Sequence, residues 1–156
     1  MPVFQTTRRV TVPADVAYAV AADVGSYREF LPLMQRSTVR GPRQATAAGE
    51  SFDAELSVAY PKLGLSESFV SRVETDGANR TVKATSRDAP FRAIETLWRI
   101  SPADTGSDVS IRIDYAFRNP LIQLAAGGLM EMAIQKVMAA FEARALAAQR
   151  SASSSI

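Results

Sequence analysis

The feature that most constrains the fold is the last segment of the chain. From Asn119 to about Gln149 the pattern is that of one helix of roughly 30 residues, some 45 Å long at about 1.5 Å per residue. Asn119 is suited to cap it and Pro120 to occupy its first helical position. Leu129, Ala133, Val137 and Ala140, with Met130, Ile134, Phe141 and Ala145, form one broad apolar stripe, and Gln135, Lys136, Glu142 and Arg144 fall largely off it. A helix this long, striped on one side, needs a broad apolar surface to lie on. Gly127-Gly128 interrupts the pattern at a cost of about 1 kcal/mol per glycine relative to Ala, so either the helix bends there or another group approaches its backbone closely.

The rest of the chain supplies that surface. Val3 to Val12 alternates as a strand, Pro13 permits a short helix with Asp15 in its first turn, and Gly25-Ser26 breaks that helix before a further turn at Tyr27 to Phe30. From Met34 the period is two, with strands expected at about 34–44, 50–60, 64–75, 79–87, 91–101 and 107–117. The separators, such as Pro61-Lys62-Leu63-Gly64 and Asp76-Gly77-Ala78, are short, which makes the neighbours antiparallel. The expected architecture is α+β, a curved seven-stranded antiparallel sheet around the long C-terminal helix, with short helices after the first strand. One domain over 1–150 and a flexible tail at 151–156 complete the reading, since 156 residues suffice for one compact core.

Composition narrows the chemistry. The chain has no His and no Cys, which excludes disulfides, Cys/His zinc sites, thiol nucleophiles and histidine acid–base catalysis. No phosphate loop or carboxylate-rich metal site is present either, so no catalytic residue, metal ligand or cofactor is expected. The sequence pI of 9.2 accompanies a net charge of only +2, because almost nothing titrates between the carboxylates and Tyr or Lys. Lysine occurs only at Lys62, Lys83 and Lys136; the other cations are arginines, interleaved with acids. The N-terminus lacks a signal-peptide pattern and no stretch of about 18 apolar residues is expected to span a bilayer, so a soluble, cytoplasmic protein is the expectation.

The strand parities line a space between sheet and helix. Phe52, Leu56, Val58 and Tyr60 share one face; Phe69, Trp98, Ile113, Tyr115 and Phe117 occupy matching inward positions, and Met130, Ile134 and Met138 face them from the helix. Glu67 has the inward parity of Phe69 and there needs an Arg partner, water or a ligand, unless it sits at an edge. The connection Tyr27 to Met34 carries Phe30, Leu31, Leu33 and Met34 around Pro32, which suits a plug at the sheet's base, a pocket lip or an apolar contact patch. Pro120, Leu121, Ile122 and Leu124 open the helix with no charge between Arg118 and Glu131, a composition fit for a membrane interface.

Several segments, in order, resemble the coenzyme Q-binding protein family of the START-like or polyketide cyclase-like superfamily. They are Phe4 with Arg8-Arg9-Val10, Ala22-Asp23-Val24-Gly25-Ser26-Tyr27 with Phe30-Leu31-Pro32, Glu67 to Val73, Pro90-Phe91-Arg92, Trp98-Arg99-Ile100, Asp114 to Leu121, and Phe141 to Ala145. The resemblance covers about residues 3–147 and implies a helix-grip fold whose tunnel holds a polyprenyl quinone. It implies a carrier or chaperone supporting respiratory electron transport or quinone biosynthesis, with no reaction of its own and transient contact with the inner membrane through 30–34 and 120–124. Respiratory complexes become expected partners. On this reading the tunnel is lined by Phe30, Leu33 and the face residues above, with Glu67, Arg72, Arg99 and Tyr115 near the quinone head. Some bacterial relatives are ribosome association toxins, so a ribosome-binding regulator using Arg36, Arg40, Arg43 and Arg112 is the alternative; a polyketide aromatase/cyclase relying on Glu67, Asp114 or a Tyr is a third.

Overall fold

The computed structural model describes residues 2–154. Strands β1 (Val3–Val10), β2 (Met34–Ala45), β3 (Gly49–Tyr60), β4 (Leu65–Asp76), β5 (Thr81–Ser86), β6 (Phe91–Ala103) and β7 (Gly106–Phe117) form one antiparallel sheet. Their order is β1-β7-β6-β5-β4-β3-β2, so every sequential pair from β2 to β7 is a hairpin while β1 closes against β7. Helix α1 (Ala14–Ala22) and a 3₁₀ turn (Val24–Glu29) carry the chain from one edge of the sheet to the other, and α2 (Pro120–Ser154) lies across the concave face. The expected helix-grip architecture is therefore present.

The hairpins owe their tightness to local chemistry. A Cβ at Gly49 would stand 2.2 Å from the Thr75 carbonyl oxygen. Gly106, at φ 99°, would meet the Val10 carbonyl oxygen at 2.2 Å, so the β6–β7 turn packs on the end of β1 only because it lacks a side chain. The buried Ser107 hydroxyl donates to the Val12 carbonyl at 3.1 Å and ties that junction to the entry of α1. At the other edge the Ser37 hydroxyl donates to the Gly25 carbonyl and accepts from the Arg28 amide, both at 3.0 Å, fixing the 3₁₀ turn on β2.

The α2 start matches its sequence signature: Asn119 Oδ1 accepts from the Leu121 amide at 2.9 Å. Gln123 Oε1 accepts from the Phe117 amide at 2.6 Å, joining the first turn to the end of β7. The helix continues past Gln149 to Ser154, so 151–154, expected as flexible tail, is helical; 155–156 lie outside the described residues. It runs through Gly127 and Gly128 without interruption, and a Cβ at either would meet nothing within 4 Å, so no group approaches the backbone there. Contrary to expectation, α2 is long and apolar enough by length and composition to cross a membrane, with a mean hydropathy of 1.2 over its most apolar 18 residues. The cause is its run of Ala, Leu and Met with few charges. Ala126, Ile134, Met138, Phe141 and Ala145 are buried against the body of the protein.

Candidate functional site

Between the sheet and α2 lie two apolar cavities of about 200 Å³ each. The inner one is walled by Leu56, Phe69, Val73, Val82, Trp98 and Ile113 of the sheet, Val24 and Tyr27 of the 3₁₀ turn, and Ile134 and Val137 of α2. The outer one lies under Leu33, Tyr60, Leu63, Leu65 and Phe117, against Ala126, Leu129, Met130 and Ala133. Leu31, Met34, Val58, Ile134 and Val137 line both, so the two cavities adjoin beneath α2. Together they reach the range usual for small-molecule sites, about 300–1,000 Å³. No residue lining either carries a formal charge.

Each wall follows from the pattern that made its element. Inward parity places Phe69, Ser71 and Val73 on β4 beside Val82 and Ala84 on β5, then Thr96 and Trp98 on β6, through pairs such as Val73↔Ala84 and Ala84↔Thr96. Trp98 stacks on Phe141 with ring centroids 4.8 Å apart, sealing the deep end. Phe69 and Phe91 meet edge-to-face at 5.2 Å, and Phe91 lies 4.9 Å from Phe117, closing the side where β4 and β6 diverge beyond β5. Leu33 adopts φ 71°, uncommon for a side-chain-bearing residue, at the lip of the outer cavity. The 27–34 connection is thus a lip whose Leu31 is buried and whose Leu33 and Met34 are half-buried against the cavity.

Of the expected lining residues, Leu33, Leu56, Val58, Tyr60, Phe69, Trp98, Ile113, Phe117, Met130 and Ile134 come together around the tunnel. Four do not line it. Phe30 is turned outward by the 3₁₀ turn and lies beneath the Arg144 guanidinium, 5.1 Å from its ring centroid, in a surface depression beside α1. Phe52 is fully buried opposite Val73, with Arg43 stacked 4.4 Å from its ring centroid. Met138 is buried in solid core, one residue round the helix from the lining Val137. Tyr115 packs edge-to-face on Phe117 at 5.9 Å as part of the wall's backing, where burial raises its phenol pKa.

The charged candidates all lie outside. Arg72 has outward parity and pairs with Asp53 across β3–β4 at 3.1 Å. Arg99, also outward, is exposed on β6. Glu67 is exposed because β4 has no β5 neighbour before Arg72; it borders a shallow surface depression with Gln35, Arg36 and Ser68. Sequence parity did not register that margin.

The polar groups on residues that line the tunnel are hydroxyls and the Trp98 indole N–H. Tyr27 donates to the Ala21 carbonyl, and burial pushes its phenol pKa well above the ordinary value. Ser71, 2% exposed, and Thr96 face the inner cavity, and Tyr60 the outer. A wider depression of about 720 Å³ lies on the outer face among Asp53, Arg72, Arg87, Asp88 and Glu95; it is charged and open, unlike the tunnel. Among the described residues no cluster of three or more acidic, His or Cys side chains is placed to hold a metal.

A curved antiparallel sheet gripping a long helix over an apolar tunnel defines a class of lipid-binding modules. The family of polyketide cyclases/dehydrases and lipid transport proteins matches residues 10–142, and this chain belongs to it. The ribosome association toxin RatA of Escherichia coli K12 is 29% identical over 93% of this chain and 87% of its own length. The mitochondrial coenzyme Q-binding protein coq10 of Schizosaccharomyces pombe is 29% identical over 76% of this chain and 71% of its own. Among solved structures, an 18 kDa protein from Caulobacter crescentus superposes with a TM-score of 0.79 at 27% identity, covering 93% of this chain and 96% of that one. The ZhuI aromatase/cyclase of a Streptomyces species superposes at 0.80 with 18% identity, covering 92% and 93%, a likeness of fold.

Proposed function

We propose that the protein is a non-catalytic carrier of a neutral polyprenyl lipid, a ubiquinone-like quinone, supporting respiratory electron transport or quinone biosynthesis. The observation that carries this reading is the pair of adjoining apolar cavities with no charged group in their walls. Burial of an isoprenoid chain there is favourable by roughly 25 cal/mol per Å². Relatives named for coenzyme Q binding support the ligand class. No carboxylate or lysine is among the described lining residues as an acid or base for cyclase chemistry; the titratable groups there are Tyr27, whose hydroxyl is engaged with the Ala21 carbonyl, and Tyr60. The protein works in the cytoplasm and touches the inner membrane transiently through Leu121 and Leu124, which are 77% and 81% exposed beside the outer cavity. Respiratory complexes are the corresponding partners.

Organic extraction of purified protein followed by mass spectrometry should release a quinone, and the stripped protein should take up ubiquinone from vesicles. Neither release nor uptake in repeated preparations overturns the proposal.

A second reading, a ribosome-binding regulator, rests on β2, an edge strand that exposes Arg36, Arg40 and Arg43, and on the RatA relatives. Arg40 is 2.7 Å from Glu55, and Arg112, on β7, 3.0 Å from Asp114, so much of this charge is already paired. Co-sedimentation with large ribosomal subunits at low salt, lost as salt rises, is its expected signature; no sedimentation at low salt dismisses it.

A further inference from the structure

The polar groups of the tunnel are unevenly distributed. Ser71 is almost wholly buried, and among the described residues its hydroxyl has no hydrogen-bond partner; the Thr96 hydroxyl has none either. Every fully enclosed side-chain polar atom among the described residues is paired, so these hydroxyls open onto the cavity space itself. Ser71 is buried and Thr96 half-buried, and each hydroxyl can donate or accept toward a guest in the cavity. They sit on β4 and β6, two strand spacings apart and offset by two residues, since Thr96 faces Val73 through Ala84, so their Cα atoms are separated by roughly 12 Å. The small Ala84 side chain keeps the β5 wall low beside Thr96. Thr96 is also two residues from Trp98, at the deep end of the tunnel.

We propose that the inner cavity seats the oxygen-bearing head of the ligand between Ser71 and Thr96, with the chain leaving through the outer cavity. The head that fits is uncharged and carries hydrogen-bonding oxygens at opposite ends of a ring, because a lone hydroxyl would satisfy only one of the two side chains. The cargo thus enters head first, opposite to an arrangement with the head at the mouth among charged residues. The charged residues available for that arrangement, Glu67, Arg72 and Arg99, are on the outer surface. This inference deepens the carrier reading and rests on it.

The test uses the full chain and two probes, a ubiquinone with a short isoprenoid tail and an alkane of similar length, with uptake measured by equilibrium dialysis and mass spectrometry. Trp98 is the only tryptophan and borders the inner cavity, so quenching of its emission by the quinone ring reports where the head sits. Ser71→Ala with Thr96→Val should weaken quinone binding by about tenfold or more and reduce the quenching, while alkane uptake stays the same. Thr96→Ser, which keeps the hydroxyl, should bind as the parent does and shows that a loss in Thr96→Val is not a folding defect. Unchanged quinone affinity in the double variant, or a loss confined to Tyr60→Phe, overturns the head-first placement and leaves the carrier reading standing. Failure of the parent protein to bind either probe overturns both.

Discussion

Single residues set the stability limits of this fold in ways that depend on what each touches. Asn119 supplies an oxygen to an otherwise unpaired amide at the start of α2, so Asn119→Ala should cost about 1 kcal/mol in chemical denaturation. The pH profile follows from the titrating groups. With no His or Cys, stability should stay nearly flat from about pH 5 to 9. Glu29 has its pKa lowered, first by the hydrogen bond from Arg144, so its contribution is present above the unfolded carboxylate value, near pH 4.3, and is lost as pH falls through the folded value. Tyr27 is the opposite case: burial raises its pKa, so its contribution is intact below about pH 10 and fades as pH climbs through the folded value. Urea titrations across pH should therefore show an alkaline loss that Tyr27→Phe reduces, with Tyr115 contributing the same sign, and an acid limb that Glu29→Gln flattens.

At the level of elements, α2 is both wall and cover, and its small residues set the size of the space beneath it. Ala133 lines the outer compartment; Ala133→Phe should fill it, cutting ligand uptake at least tenfold while leaving the melting temperature unchanged or higher. Gly127 and Gly128 have room for a side chain, and each change to Ala should stabilise by up to about 1 kcal/mol, read from the denaturation midpoint. The elements were legible because period and punctuation agree along the chain: alternating runs ended by Gly, Pro and Asp became strands, and Asn119-Pro120 opened the helix. Parity also identified most of the lining. It failed at Phe30, whose direction is set by the Ser37 hydrogen bonds that hold the 3₁₀ turn, and at Glu67, whose exposure depends on where β5 stops. Both depend on contacts between segments distant in sequence, which periodicity does not encode. Ser71 and Thr96 share the inward parity of Phe69 and Trp98, but their lack of partners is visible only once the neighbouring strands are in place.

For the molecule as a whole, the position of the exposed leucines relative to the tunnel matters more than their number. Leu121 and Leu124 stand on the first turns of α2, just before Ala126 enters the outer compartment. Replacing both with Ser should slow quinone transfer from vesicles several-fold while leaving equilibrium affinity in detergent unchanged, a split that stopped-flow transfer and dialysis distinguish. Equal effects on both would assign the leucines to the binding site itself.

The uncharged wall of the tunnel has one more consequence. A fatty acid at neutral pH would leave its hydration shell at the entrance and find no cation waiting, so the interior should discriminate against soaps of the same length as an accepted neutral chain. The same rule applies to a redox-active guest: its neutral oxidised and fully reduced forms fit equally, whereas the anionic one-electron form is penalised, so the cavity would ferry such a molecule without inviting it to leak single electrons on the way.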